Sequence, residues 1–253
     1  MALSAEEKDK ILRDIWSGKI KLTSLPPNLY EAISEDLRKG LFEGYGGTLK
    51  SIERPAFETL KELNRNIHFF SAAKVFNQTK DIRNFIFDDK GNVRSFSAFK
   101  KDADKIYERF NEAWQRTEFE TTIAQAQSAR QWQDIQEDKE ILPLLKYQTA
   151  GDKDVRPEHA AWDNIVRPVD DKFWDTHTPP NGFNCRCIAI QLERGKVSDL
   201  RGVKANEEKL FANNPGKAEL IFTEKGIGQH PYFNVGAKFE SLKKKNFNLS
   251  LPK

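Results

Sequence analysis

The stretch that decides how this chain folds lies at residues 146–192 and reads KYQTAGDKDVRPEHAAWDNIVRPVDDKFWDTHTPPNGFNCRCIAIQL. It holds two of the four histidines, both cysteines and two of the five tryptophans of the chain. Prolines and an Asn-Gly pair punctuate it, which is typical of a turn-rich segment. The sequence therefore predicts a compact, turn-rich module in which residue types suited to metal binding are concentrated.

Upstream of this stretch the sequence predicts helices. Apolar residues recur at helical spacing over residues 4–17, 54–66, 70–87 and 97–136, and a further helix is expected to close near Gly40. Ser4 and Glu7 are placed as a capping box at the start of the first helix. His68 lies in an apolar run and is expected to be a packed, hydrogen-bonded histidine rather than a ligand.

The pattern changes at Pro143, where ILPLLKYQTA indicates a strand. We therefore expect an α+β protein, with a mainly helical N-terminal module followed by a small α+β C-terminal module. The helical module covers residues 1–136, the second module residues 137–235, and a basic C-terminal tail residues 236–253. The late part of the helical module, residues 121–136, is small and polar and is expected either to lie exposed as the solvated face of an ordinary helix or to pack on a partner.

Composition and charge narrow the class of protein. The chain has 253 residues, of which 38% are hydrophobic and 31% charged, and its net charge is +3 from 41 basic and 38 acidic residues. This near-balance argues against a dedicated nucleic-acid binder, although the run Lys243, Lys244, Lys245 leaves contact with nucleic acid or an acidic partner as a minority alternative to a solvated tail. We expect no membrane span, no secretory signal and no disulfide scaffold.

The candidate metal ligands are His159, His177, Cys185 and Cys187, with the spacing H-x17-H-x7-C-x-C. Thiolate and imidazole are the ligands of structural zinc, and a bound ion would supply stability that a small, loop-rich module lacks. The Cys-x-Cys spacing is narrower than that of common zinc knuckles. The alternative is a pair of reduced cysteines with both histidines hydrogen-bonded to nearby aspartates, namely Asp163, Asp170, Asp171 or Asp175.

Four further residues of the stretch are assigned structural roles. Arg156 and Arg167 are expected to form ion pairs with the aspartates, and Trp162 and Trp174 to pack in the core of the small module.

An enzyme remains an alternative interpretation of the same residues. A thiol- or zinc-dependent hydrolase would use His159 or His177 as a base, or Glu158 as an acid/base beside a three-ligand metal. No HExxH sequence, nucleophile elbow or phosphate loop supports this, so we predict a protein without catalytic residues.

The segments YQTAGDKDVRPEHAAWDN and DDKFWDTHTPPNGFNCRCIAIQL resemble the phage Mu F-like minor head proteins, also called the phage head morphogenesis family. The agreement covers uncommon residue types in a fixed order: Arg156, His159, Trp174, Pro179, Pro180, Gly182, Cys185 and Cys187. It extends more weakly to residue 233, and the helical half is similar only in composition.

This resemblance implies a minor capsid protein of a tailed phage or prophage. Residues 137–235 would be its head morphogenesis module, and residues 1–136 would dock on the portal or capsid. Expected partners are the portal protein, other capsid or neck proteins and packaged DNA, with no membrane. The protein would be assembled in the host bacterial cytoplasm, lie in the capsid interior or neck of the virion, and act in head assembly and DNA packaging or ejection. The family's histidines and cysteines have been suggested as a metal site.

Overall fold

A computed structural model describes residues 3–53 and 56–251 of the chain. Its regular elements are α1 Ala5–Trp16, α2 Pro27–Tyr45, α3 Ala56–Arg83, α4 Phe96–Glu108, α5 Trp114–Asp138, β1 Leu144–Gln148, α6 Pro157–Ala160, β2 Val166–Pro168, β3 Ile188–Leu192, α7 Pro215–Ala218 and α8 Glu240–Lys244. Helices precede a three-stranded sheet, which confirms the predicted α+β class. None of these helices combines the length and the apolar character that a membrane span requires.

Helix α1 begins as its sequence predicts. The Glu7 backbone N–H donates to Ser4 Oγ at 3.2 Å, and the Ser4 N–H donates to Glu7 Oε2 at 2.8 Å, which completes the capping box. The apolar stripe of the helix, formed by Ile11, Leu12 and Ile15, is buried. Local capping and core packing therefore favour the same helix.

Helix α3 is longer than the apolar pattern predicts. Separate helices were expected over 54–66 and 70–87, but α3 continues unbroken through His68; Arg54 and Pro55, the expected start of the first one, lie outside the described residues. His68 is buried, and its Nδ1 lies 3.0 Å from the Tyr30 hydroxyl oxygen, as expected for a packed histidine. Burial lowers the pKa of His68 to about 3, so the ring is neutral at pH 7.

Two other helix boundaries also differ from the predictions. Helix α2 passes Gly40 and ends at Tyr45, because its core face continues with Leu41 and Tyr45, both buried. The long helix predicted over 97–136 is divided by a π-helical segment, Arg109–Ala113, between α4 and α5. Apolar spacing shows neither feature, because a π-turn adds only one residue to an otherwise helical pattern.

The described chain divides into two compact units. Unit 1 comprises the described parts of Met1–Lys39, Asn64–Glu120 and Pro231–Lys253, and unit 2 comprises those of Gly40–Leu63 and Thr121–His230. Each unit is assembled from separate parts of the sequence, whereas the modules expected from the sequence are continuous. Those modules therefore stay a prediction, and the units are the frame used below.

Unit 1 contains a buried ion pair between two long helices. Lys74 Nζ on α3 donates to Glu118 Oε2 at 2.5 Å and to Gln115 Oε1 at 2.6 Å, both on α5. Gln115 in turn donates to the Asp36 carboxylate of α2 at 2.8 Å. Burial lowers the pKa of Lys74 and raises that of Glu118, while the opposite charge of each partner counteracts the shift. This network fixes how α2, α3 and α5 align within unit 1.

Within the described part of the C-terminal segment, Asn246, Phe247 and Leu249 are buried in unit 1 rather than forming the solvated tail that the lysine run predicted. Phe247 is 1% exposed and stacks on Phe76, with ring centroids 5.0 Å apart. The Tyr30 hydroxyl donates to the Ser250 carbonyl at 3.0 Å. Aromatic burial offsets the entropy lost by ordering the segment, and Lys244 and Lys245 remain exposed beside it.

Unit 2 is built on a three-stranded antiparallel sheet with the order β2-β1-β3. One face of the sheet and the late part of α5 enclose a core made of Trp132, Ile135, Leu145, Tyr147, Trp162, Ile165, Val169, Phe173, Trp174 and Ala189. The prediction that both tryptophans of the 146–192 stretch are core residues is confirmed.

The small, polar face of α5 is part of this interior, so the prediction that it packs on a partner is wrong. Within residues 121–136, Thr122, Ala126 and Ala129 are fully buried. Ser128 Oγ donates to the Pro179 carbonyl at 2.5 Å, and Gln131 Nε2 donates to the Ala189 carbonyl at 3.0 Å. Small residues occur here because the helix lies close to neighbouring backbone, and the polar side chains bond to that backbone.

The ion pair of unit 1 yields a stability prediction. Lys74→Met leaves the Glu118 carboxylate buried without its cation, and we expect the free energy of unfolding to fall by about 3–5 kcal/mol. The double variant Lys74→Met, Glu118→Leu should recover most of that loss, because no charge is then left buried. Urea denaturation measures both changes.

The matched control is Arg116→Ala, which breaks the exposed Arg116–Glu120 pair and should cost less than about 1 kcal/mol. A double variant as unstable as Lys74→Met alone would contradict this role of the pair.

Candidate metal centre

His159 is presented by the short helix α6. Pro157 takes the first helical position, where a backbone N–H is not needed. The imidazole is 2% exposed and stacks on Trp162, with ring centroids 5.1 Å apart and planes inclined by 22°. The core tryptophan therefore fixes the plane of the histidine ring.

Cys185 and Cys187 lie on the extended chain that leads into β3. A turn precedes them, in which Asn184 has a φ of 57° and the Cys185 N–H donates to the Gly182 carbonyl at 3.2 Å. Side chains of an extended chain alternate, so residues two apart lie on the same side. Both cysteines are half-buried free thiols, and Cys187 packs against the core of unit 2. Extended backbone thus explains how the narrow Cys-x-Cys spacing forms one site.

The structure brings three of the four predicted ligands together. His159 Nδ1 lies 3.8 Å from Cys185 Sγ and 3.7 Å from Cys187 Sγ, and the three ligand atoms all lie within 4.8 Å of one another. In a tetrahedral zinc site, Zn–S bonds of about 2.3 Å and Zn–N bonds of about 2.0 Å separate neighbouring sulfur and nitrogen ligands by about 3.5 Å. The donors therefore fit one zinc ion both in spacing and in chemistry.

The two thiols differ in their affinity for protons. The hydrogen bond with Cys187 lowers the pKa of Cys185, against the effect of burial. The same hydrogen bond, together with burial, raises the pKa of Cys187. The two thiols therefore titrate as one linked pair rather than as independent groups. A thiolate next to an imidazole is the form that binds a metal ion most readily.

His177, the fourth predicted ligand, lies outside this cluster. Its Nε2 is 3.2 Å from the Lys204 carbonyl oxygen, and its Nδ1 is 3.1 Å from the Phe173 carbonyl oxygen and 2.9 Å from Thr176 Oγ1. Burial lowers the pKa of His177. These oxygens take the place of the aspartates expected as its partners, so the imidazole joins its own turn to the segment at Lys204 rather than facing the sulfurs.

A small cavity adjoins the three ligands. Its volume is about 20 Å³, enough for about one water molecule, and Asp154, Arg156 and Asn184 are among the residues that line it. A zinc ion held by three protein ligands keeps one coordination position open. A water molecule in this cavity would fill that position.

The two arginines near the site, Arg156 and Arg167, have different hydrogen-bond partners. Arg167 Nη2 donates to Asp171 Oδ2 at 2.6 Å, as predicted. Arg156 instead donates to the Phe183 carbonyl at 2.7 Å, and a Cβ on Gly182 would lie 3.2 Å from its guanidinium. Arg156 therefore stabilises the turn before Cys185 rather than an aspartate.

Tyr147 is a residue of the site that the sequence analysis missed. Its hydroxyl donates to Asn181 Oδ1 at 3.0 Å, and its ring meets Trp162 edge to face with centroids 5.7 Å apart. Burial and a hydrogen bond with Cys187 raise the pKa of Tyr147. The alternation of LLKYQ in β1, which turns Leu145 and Tyr147 to the same face, was the available signal.

The geometry predicts which substitutions affect metal binding. Cys185→Ser, Cys187→Ser and His159→Gln should each lower zinc affinity by more than the roughly 10–100-fold that loss of an outer-shell partner costs. His177→Gln should keep the zinc stoichiometry while lowering the free energy of unfolding by about 1–3 kcal/mol through lost buried hydrogen bonds. Plasma mass spectrometry of protein prepared without chelator measures the metal. Equal zinc loss in His177→Gln and Cys185→Ser would contradict the three-ligand assignment.

The region that contains the candidate ligands is similar to known phage proteins. Residues 92–190 match the family described as Phage Mu protein F like protein. The chain is 39% identical over 74 residues to the putative capsid assembly protein F of Escherichia phage Mu, which covers 29% of this chain and 17% of that protein. It is 27% identical over 139 residues to the Mu-like prophage FluMu F protein of Haemophilus influenzae (strain ATCC 51907 / DSM 11121 / KW20 / Rd). That match covers 48% of this chain and 33% of that protein.

The chain therefore matches no more than about a third of the length of either curated relative. No solved structure matches it significantly. The matched region begins in the helical half, earlier than the sequence resemblance indicated, and contains His159, Cys185 and Cys187. The resemblance is confirmed over residues 92–190, which are similar to the Phage Mu protein F like family.

Proposed function

We propose that this chain is a minor capsid, or head morphogenesis, protein of a tailed phage or prophage. The observation that carries the proposal is the extent of the matched region, which includes the three clustered ligands and the tryptophan that orients His159. The phage Mu relative is named a putative capsid assembly protein, and an assembly role accounts for a site built to hold chain segments together.

The cluster serves this role as a structural zinc site. His159 belongs to α6, whereas Cys185 and Cys187 precede β3, so one ion would join two segments of unit 2 that are distant in sequence. Loops and short 3-10 turns make up much of this part of the chain. A bound ion adds its binding free energy to folding, which such a segment needs more than a regular bundle does.

The proposed partners are the portal protein and other capsid or neck proteins, with contact to packaged DNA. The chain acts in head assembly and in DNA packaging or ejection, is assembled in the host bacterial cytoplasm, and is carried in the capsid interior or neck of the virion. Because the charge of the chain is nearly balanced, we expect most of its binding energy to come from contacts with proteins rather than with DNA.

A zinc- or thiol-dependent hydrolase is the second candidate, because three ligands beside a cavity also suit a catalytic zinc. The position of Glu158, the acid/base that such a hydrolase would use, weighs against this candidate. Glu158 lines a different cavity, of about 340 Å³, together with Arg201 and Lys204, and not the one beside the cysteines. A structural site predicts that Cys185→Ser loses stability and assembly together, whereas a catalytic site predicts a stable protein that has lost turnover.

The proposal predicts a defect in particle formation. Removing the coding region of this chain from its phage or prophage should lower the yield of DNA-filled heads by at least about tenfold, because assembly would lack a required component. Electron microscopy of purified particles counts filled and empty heads, and mass spectrometry of wild-type virions should detect the chain.

Complementation with the wild-type chain is the control and should restore filled heads, while Cys185→Ser should restore few. Normal particles without the chain, combined with its absence from wild-type virions, would refute the assembly role.

A further inference from the structure

Strand β3 has the reverse of the polarity expected for a sheet with one buried face. Such a strand normally turns apolar residues to the core and polar residues to solvent. In β3 the inward positions are Ala189 and Gln191, whereas the outward positions are Ile188, Ile190 and Leu192. Ala189 is small because α5 lies against it, and its carbonyl accepts from Gln131. The three largest apolar residues of the strand therefore point away from the core of unit 2.

The register of the sheet extends this outward surface across β1, where Lys146 and Gln148 add polar groups to it. Leu144 lies opposite Leu192, Lys146 opposite Ile190 and Gln148 opposite Ile188, so each pair shares the outward face. Ile188 is 48% exposed, and Ile190 is partly exposed. We call these four residues, Lys146, Gln148, Ile188 and Ile190, the open face of the sheet.

The rest of the outward face is covered by the chain itself. A Cβ on Gly195 would lie 3.5–3.6 Å from side-chain atoms of Val166, Leu144 and Leu192, which places this glycine directly over that end of the sheet. Val166 is accordingly only 9% exposed. The segment around Gly195 does not reach the other end of β1 and β3, and that end is the open face.

The β2 edge of the sheet is covered by the chain itself, and the β3 edge is covered in part. At β2, the Val166 N–H donates to Ser198 Oγ at 3.0 Å, and the Ser198 N–H donates to the Val166 carbonyl at 2.9 Å. At β3, the Ala189 carbonyl accepts a hydrogen bond from Gln131 Nε2. A partner would therefore lie across the open face rather than extend the sheet.

Lys146 determines the charge of that partner. It is half-buried at the centre of the open face, beside Ile190, and forms no ion pair among the residues that the structure describes. An apolar surface around one ammonium group is complementary to an apolar segment that carries a carboxylate. A second copy of the chain would bring another lysine and fits less well.

We propose that the open face is the docking surface for another protein of the same phage head, which presents an apolar segment with an Asp or Glu opposite Lys146. This inference rests on the proposed function and deepens it by naming the surface. It also replaces the buried α5 face that the sequence had indicated for this role.

The test uses the full chain, tagged and co-expressed separately with the portal protein and with the major capsid protein of its own phage. We expect one of them to co-purify, and Lys146→Glu and Ile188→Thr each to weaken that binding by about tenfold or more, through charge repulsion and lost apolar contact. Lys146→Met should weaken binding less than Lys146→Glu does, because it removes the charge that pairs with the carboxylate without reversing it. Zero-length carbodiimide cross-linking should join Lys146 to an acidic residue of the partner.

Matched controls are Ile227→Thr and Lys153→Glu, exposed residues of unit 2 outside the sheet, which should change binding less than about twofold. Thermal unfolding confirms that every variant is folded. Wild-type binding that the open-face variants leave unchanged would overturn the docking surface while sparing the assembly role. A wild-type chain that binds neither head protein, and is absent from virions, would remove the assembly role and this inference with it.

Discussion

The alternation of side chains along residues 185–192 is the constraint on which the rest of unit 2 depends. It turns Cys185 and Cys187 to the side where His159 lies, and it turns Ile188 and Ile190 to the opposite side. A shift of one residue would exchange the two sets. The cluster of candidate ligands and the open face are therefore two consequences of a single register.

Packing against α5 holds that register in place. Ala189 is the only inward position of β3 small enough for the helix to lie close, and Gln131 and Gln191 both donate to carbonyl groups across this contact. Trp162 then joins the core to the site, because its ring touches both Tyr147 and His159. Ligand geometry is thus set by aromatic packing before any ion binds, which is how a structural site is pre-organised.

The sequence predicted those features that depend on local chemistry. The Ser4–Glu7 capping box, the burial of Trp162 and three of the four metal-ligand candidates needed only neighbouring residues or rare residue types. Tertiary contacts decided the remainder. His177 is taken up by backbone carbonyls that no spacing rule reveals, and the polar face of α5 is buried because its side chains bond to backbone from distant segments.

The most direct test of the shared register is X-ray absorption at the zinc edge of the purified full-length chain. The account predicts two sulfur ligands at about 2.3 Å and one imidazole nitrogen at about 2.0 Å, with a light atom completing the shell. A shell with two imidazoles would return His177 to the site. A shell without sulfur would contradict the account, since Cys185 and Cys187 would then not face a common ion.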